Sequence, residues 1–138
     1  MPDSDKQIND RIVVDTYAWV EYFKGSAEGT KAKKFIEGNF ELFTPSIVIA
    51  ELSDKYRREK IEEWPIRNRF IVLKTQILIL NEDIADNAGE VKQELKSKFK
   101  HAGLADAIVF AHSIDSDTKI LTGDKHLKHL KNSIDITR

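Results

Sequence analysis

The sequence predicts an α/β sandwich built on a mostly parallel sheet, and three observations carry that expectation. Short β-branched or aromatic runs alternate with longer stretches of helical apolar spacing along the chain. No two of those runs lie close enough for a tight hairpin, so the connections must cross over, as parallel strands require. At 138 residues, 41% of them hydrophobic and 33% charged, the chain can bury a core as one domain without cross-links.

The elements follow in order. Residues 1–10, with three Asp, one Lys and few apolar groups, read as a mobile polar tail ahead of a single domain over residues 11–138. Ile12, Val13 and Val14 form a buried strand closed by Asp15. Thr16 is placed to cap a helix over Tyr17–Phe23, which Gly25-Ser26 breaks. Ala27–Glu37 is a second amphipathic helix, stopped by Gly38-Asn39. Phe40–Phe43 alternates as a strand. Pro45 then opens a helix over Ser46–Lys60, apolar in its first half and basic in its second. Pro65–Lys74 is a further helix, Ile77–Leu80 a third strand, and Asn81 caps a helix over Glu82–Lys98. Gly103–Ser113 is a strongly apolar helix and Lys119–Leu121 a fourth strand, followed by Thr122-Gly123-Asp124. A short helix near Lys125–Leu130 and a strand near Ile134–Thr137 complete the chain, which has no repeat or low-complexity segment.

Composition removes several function classes. With no cysteine there are no disulfides, thiolate zinc sites, iron–sulfur clusters or thiol nucleophiles. No apolar run can cross a bilayer, and the polar, acidic start MPDSDKQINDR is unlike a signal peptide, so a cytoplasmic protein without membrane association is expected. The 22 basic and 23 acidic residues nearly cancel, so nucleic-acid binding has to come from local patches.

Most of the acids have polar neighbours, but four do not. Asp15 ends an apolar strand. Glu51 interrupts Ile47-Val48-Ile49-Ala50-Glu51-Leu52 and shares a helix face with Ile47 and Val48. Asp106 sits in Leu104–Ala111, where every other residue is apolar, and Asp124 follows Ile120-Leu121-Thr122-Gly123. A carboxylate in such surroundings is costly unless paired or metal-bound. Private explanations exist for each: Asp15 and Asp124 as helix caps, Asp106 capping its own helix start, Glu51 pairing with an arginine. Four such costs in one small domain favour a shared site, and in parallel sheets sites form beyond the carboxyl ends of the strands, where Asp15 and Asp124 fall. An all-carboxylate set suits Mg²⁺ or Mn²⁺, ions that activate water and offset charge on a phosphodiester.

Val13-Val14-Asp15-Thr16, Ile49-Ala50-Glu51-Leu52, Gly103-Leu104-Ala105-Asp106-Ala107 and Leu121-Thr122-Gly123-Asp124 resemble, in order and separation, the four acidic motifs of PIN domains. The resemblance spans about residues 11–138 and is nearest to VapC-type toxins and related stand-alone prokaryotic PIN proteins. It implies a three-layer α/β/α sandwich and a metal-dependent nuclease acting on RNA. It also implies that Asp15, Glu51, Asp106 and Asp124 are the catalytic metal ligands. Thr122 matches a position where the family often places a hydroxyl, and Thr16, beside Asp15, is expected to support the ligands in the same way. Leu127 stands where relatives often carry Phe, a difference of packing. VapC-type proteins usually pair with themselves and with a small antitoxin, so a homodimer and an antitoxin are the implied partners.

Weaker signals complete the reading. His126 and His129, three residues apart, make half a zinc site, but no third soft ligand is near in sequence and they read as surface histidines on a short basic helix. His101 and His112 have no evident partner, and Asp115-Ser116-Asp117 reads as a turn. Basic stretches at residues 55–60 and 92–101 are mostly solvated helix faces; Arg57, Lys98 and Lys100 are the candidates for phosphate contact with RNA. Tyr17, Trp19, Tyr22 and Phe23 exceed what one helix face buries; core packing is the first account and a partner surface the second. Against the endoribonuclease stand a non-catalytic RNA- or protein-binding module, which has no use for a costly acid cluster, and a small-molecule phosphohydrolase. The latter lacks a phosphate-cradling loop, since none of the six glycines falls in a G-x-G-x-x-G or Walker pattern.

Overall fold

A computed structural model describes residues 10–138, so the expected polar tail lies, but for Asp10, outside the described residues. The first strand, β1 (Arg11–Val14), leads into helices α1 (Thr16–Lys24) and α2 (Ala27–Ile36). Strand β2 (Glu41–Pro45) feeds α3 (Ser46–Arg58) and α4 (Trp64–Lys74), and β3 (Gln76–Leu78) feeds α5 (Glu82–Lys98) and α6 (Leu104–Ser116). Strands β4 (Lys119–Thr122) and β5 (Ser133–Asp135) follow. All pairings are parallel, in the order β3-β2-β1-β4-β5.

That order explains the layers. Parallel crossovers are right-handed. The steps β1 to β2 to β3 run in one direction, so their helices α1–α4 share one face. The return from β3 to β4 runs the other way, which puts α5 and α6 on the opposite face. The core divides accordingly. One cluster joins the sheet to Ala18 and Trp19 of α1, Ile36 of α2, Val48 and Leu52 of α3, and Trp64 and Ile71 of α4. A second joins Ile84, Ala88 and Leu95 of α5 to Ala107, Ile108 and Ala111 of α6. Central β1 is covered on both sides, and Ile12, Val13 and Val14 have no exposed surface, which is why that strand reads as a continuous apolar run rather than an alternating one.

The aromatics of α1 are taken up inside this structure. Trp19, Tyr22 and Phe23 surround Phe70 of α4 at ring separations of 6.2, 5.9 and 6.3 Å, and the Arg67 guanidinium lies 5.2 Å from the Phe23 ring centre. Core packing therefore accounts for these three.

Three local expectations need correction. Residues 125–130 form turns, not a helix: the Leu127 and Lys128 N–H groups both bond to the Asp124 carbonyl, and Leu127 drops fully buried into the core. Strand β3 ends at Leu78 because its neighbour turns into α3 after Pro45 and offers no further backbone partner; Ile79 and Leu80 are left exposed. Strand β5 ends at Asp135, whose carboxylate accepts from both the N–H and the hydroxyl of Thr137 and bends the chain. Among the described residues no helix is long and apolar enough to cross a membrane.

Candidate metal centre

The strand order reverses between β1 and β4, and a crevice at such a point lies outside the carboxyl ends of the strands. Asp15 follows β1 there and Asp124 follows β4. Glu51 reaches the crevice from α3 and Asp106 from the first turn of α6. All four line one cleft of about 380 Å³, together with Tyr17, Glu21, Lys24 and Lys55.

Asp15 occupies the N-cap position of α1, but its side chain makes no cap bond. Its Oδ2 accepts instead from the Thr122 hydroxyl at 2.7 Å. The same Thr122 oxygen accepts from the Asp124 N–H at 2.9 Å, so one hydroxyl ties the ends of β1 and β4 together. Asp15 is 5% exposed, and burial lifts its carboxyl to about 7; the Thr122 bond opposes the lift, while the charges of Asp124 and Glu51 add to it. Thr16 is not a cap but the first residue of α1, and its hydroxyl donates to Glu51 Oε1 at 2.6 Å. Burial raises the Glu51 carboxyl, the Thr16 bond opposes that, and the charges of Asp106 and Asp124 add to it. Burial and the Asp124 charge raise Asp106 as well.

Asp106 and Asp124 do serve locally. Asp106 Oδ2 accepts from the Gly103 N–H at 3.3 Å, completing the start of α6, and Asp124 Oδ1 accepts from the His126 N–H at 2.8 Å. These private roles use single oxygens and leave the crowding unexplained. Nor does Glu51 pair with an arginine: among the described residues no lysine or arginine forms an ion pair with any of the four acids. Lys24 pairs with Glu21 and Lys55 with Glu59.

The basic partner that is present is His126. Its Nδ1 lies 3.0 Å from Asp106 Oδ2 and 3.8 Å from Asp124 Oδ1, with the side chain 14% exposed. One ligand atom each from Asp106, Asp124 and His126 lie within 4.8 Å of one another. Facing an ionised carboxylate, which can only accept, Nδ1 carries the proton. His126 is thus not the surface histidine the sequence suggested, whereas His129 is exposed and its ring stacks on Phe99. The donor set fits a hard divalent cation: carboxylate oxygens, partly desolvated, repelling one another and short of positive charge.

The remaining expected residues lie apart. Arg57 is exposed and donates to Ser53 along its own helix, outside the cleft. Lys98 borders a separate, wider cleft, and Lys100 is exposed in the turn after α5. Lys55 and Lys24 line the acid cleft in their place. Lys55 was legible in principle, since it stands one helical turn beyond Glu51 on the same face. His126 was legible through the two-residue Asx turn from Asp124; Lys24 carried no such signal.

Solved structures share the fold. A toxin–antitoxin complex from Klebsiella pneumoniae aligns with a TM-score of 0.72 and 19% identity, covering 91% of this chain and 97% of that one. VapBC2 from Rickettsia felis, bound to a DNA fragment from its promoter, aligns with a TM-score of 0.70 and 21% identity over 90% and 96%. Mycobacterium tuberculosis VapC20, described as a sarcin–ricin loop cleaving toxin, aligns with a TM-score of 0.67 and 18% identity over 83% and 90%. Comparison with curated proteins finds no significant match. The sequence itself matches the PIN domain family over residues 12–132, a stretch holding all four acids and every strand except the first residue of β1 and the whole of β5. The chain belongs to the PIN domain family.

Proposed function

We propose that this chain is a divalent-metal-dependent endoribonuclease, the toxin of a toxin–antitoxin pair, working in the cytoplasm. The observation that carries the reading is the meeting of Asp15, Glu51, Asp106 and Asp124 in one cleft where, among the described residues, no lysine or arginine forms an ion pair with them. Those four residues would hold Mg²⁺ or Mn²⁺. When bound, such an ion activates water and stabilises the charge that develops on a phosphodiester. The Thr122 hydroxyl fixes the Asp15 carboxylate and the Thr16 hydroxyl fixes that of Glu51, so both present oriented oxygens to the cleft. His126 holds Asp106 from the outer side. The set contains no thiol, and its hydroxyls are engaged on carboxylates, so water is the attacking group. In-line attack with loss of the 3′ oxygen leaves 5′-phosphate and 3′-hydroxyl ends.

RNA as the substrate is supported by the family and by the described activity of VapC20. A small antitoxin partner is supported by the VapBC complexes among the structures that share the fold. A homodimer is supported by apolar side chains left outside the core on α4 and after β3: Ile66, Leu73 and Ile79 are 73%, 77% and 67% exposed. The test is incubation of purified protein with a mixed single-stranded RNA pool. Cleavage with Mg²⁺ or Mn²⁺ that EDTA abolishes is the expected result. RNA retention without cleavage would instead support the binding module, and hydrolysis confined to small phosphate esters would support the phosphohydrolase.

A further inference from the structure

Two other clefts are larger than the acid site. One, of about 790 Å³, is bordered by Lys98, Lys119 and Lys131, with Asp117 as its only acid. The other, of about 610 Å³, is bordered by Lys128 and Arg138, with Asp135 as its only acid. His129 borders both. Among the described residues none of these five lysines and arginines forms an ion pair, and the chain as a whole carries a net charge of −1. The positive surplus is therefore local. Against its burial, the Thr137 hydrogen bonds and the charges of Lys128 and Arg138 hold the Asp135 carboxyl below its ordinary value, without a contact ion pair. Each cleft keeps more cations than acids. Flat rings lie at the junction. Phe99 stacks on His129 at 6.2 Å and 15°, and its other neighbour, at 6.0 Å, is the His126 ring that touches Asp106 and Asp124. A line of three rings thus leads from the acid cluster to the basic clefts.

We propose that these clefts form the seat of the RNA strand flanking the scissile phosphate, with Lys98 and Lys131 on its phosphates and the Phe99–His129 pair as a platform on which an unpaired base stacks. The inference rests on the ribonuclease reading above and names where its substrate lies. An acid cluster repels a polyanion, so attraction must come from a neighbouring surface of opposite sign. Rings beside lysines are the combination that binds single strands without sequence preference.

The experiment is fluorescence anisotropy with a short fluorescein-labelled single-stranded oligoribonucleotide of mixed sequence, in Mg²⁺, with Asp106→Asn as parent so that the probe is not cut. Adding Lys98→Ala and Lys131→Ala is expected to weaken binding about tenfold and to flatten the dependence of log K on log salt by about 0.7 per lysine removed. His129→Ala is expected to weaken binding roughly fivefold or more, and His129→Phe, which keeps a flat ring, to restore it. Probe binding unchanged in affinity and salt slope by the lysine pair would overturn the inference. So would loss at His129→Ala that His129→Phe does not restore. Cleavage by the unaltered chain is measured in parallel. Cleavage without any effect of these variants on binding removes the groove alone, whereas binding that depends on them without cleavage removes the nuclease reading and leaves the groove.

Discussion

Burial holds the Asp15 carboxyl at about 7, against 3.8 in an unfolded chain. A raised carboxyl binds its proton more tightly in the folded state. It therefore adds stability below the unfolded value and loses it as pH rises through the folded one. Glu51 and Asp106 are raised as well and act in the same sense. In EDTA the thermal midpoint is accordingly expected to fall between about pH 4 and pH 8. Asp15→Asn keeps an acceptor for Thr122 and removes the charge, so it should stabilise the protein at about pH 8, by on the order of 2–4 kcal/mol, and do little at about pH 4. A midpoint that rises with pH in EDTA, or no gain from Asp15→Asn, would count against a strained acid cluster. His126→Ala removes the group that orients Asp106 and is expected to weaken Mn²⁺ binding about tenfold or more, read by calorimetry. The four acids were legible in the sequence because each stood among apolar residues. His126 was missed, because the expected helix over residues 125–130 hid the Asx turn that Asp124 makes with it; the turn anchored on Asp124 brings its ring back to the acids.

Helices α1 and α2 meet at Gly29, where a Cβ atom would stand 1.9 Å from the Glu21 carbonyl oxygen. That oxygen is backbone and already accepts from the Gly25 N–H at 3.0 Å, so it cannot step aside. Gly29→Ala should therefore force the two helices apart and cost about 1–3 kcal/mol in urea unfolding. A variant as stable as the parent would show the contact to be looser than drawn. Existence and type were legible for all eleven elements, since helical and strand periodicities differ, and the one error was the additional helix expected over residues 125–130. Their ends were less so, because tertiary partners set them: β3 stops where β2 turns into α3, and Thr16 gives its hydroxyl to Glu51, 35 residues away, rather than to its own helix. The surplus of aromatics in α1 was visible, but its occupant, Phe70 of α4, was not.

Across the whole molecule, the strand order β3-β2-β1-β4-β5 makes one site of acids at positions 15, 51, 106 and 124. Alternation of elements in the sequence implied a parallel sheet, but its order depends on pairings between distant segments that no local pattern records. The resemblance to PIN domains supplied what periodicity could not. The exposed apolar residues of α4 lead to a further expectation: light scattering at micromolar concentration should give a dimer, and Leu73→Lys should shift it toward monomer. A monomeric parent would contradict that. Whether the four acids form one cation site is read from Mn²⁺ located by anomalous diffraction in soaked crystals. Mn²⁺ is expected between Asp15, Glu51, Asp106 and Asp124 in the parent and absent in Asp106→Asn; Mn²⁺ bound elsewhere, or bound equally well in the variant, would contradict a shared site.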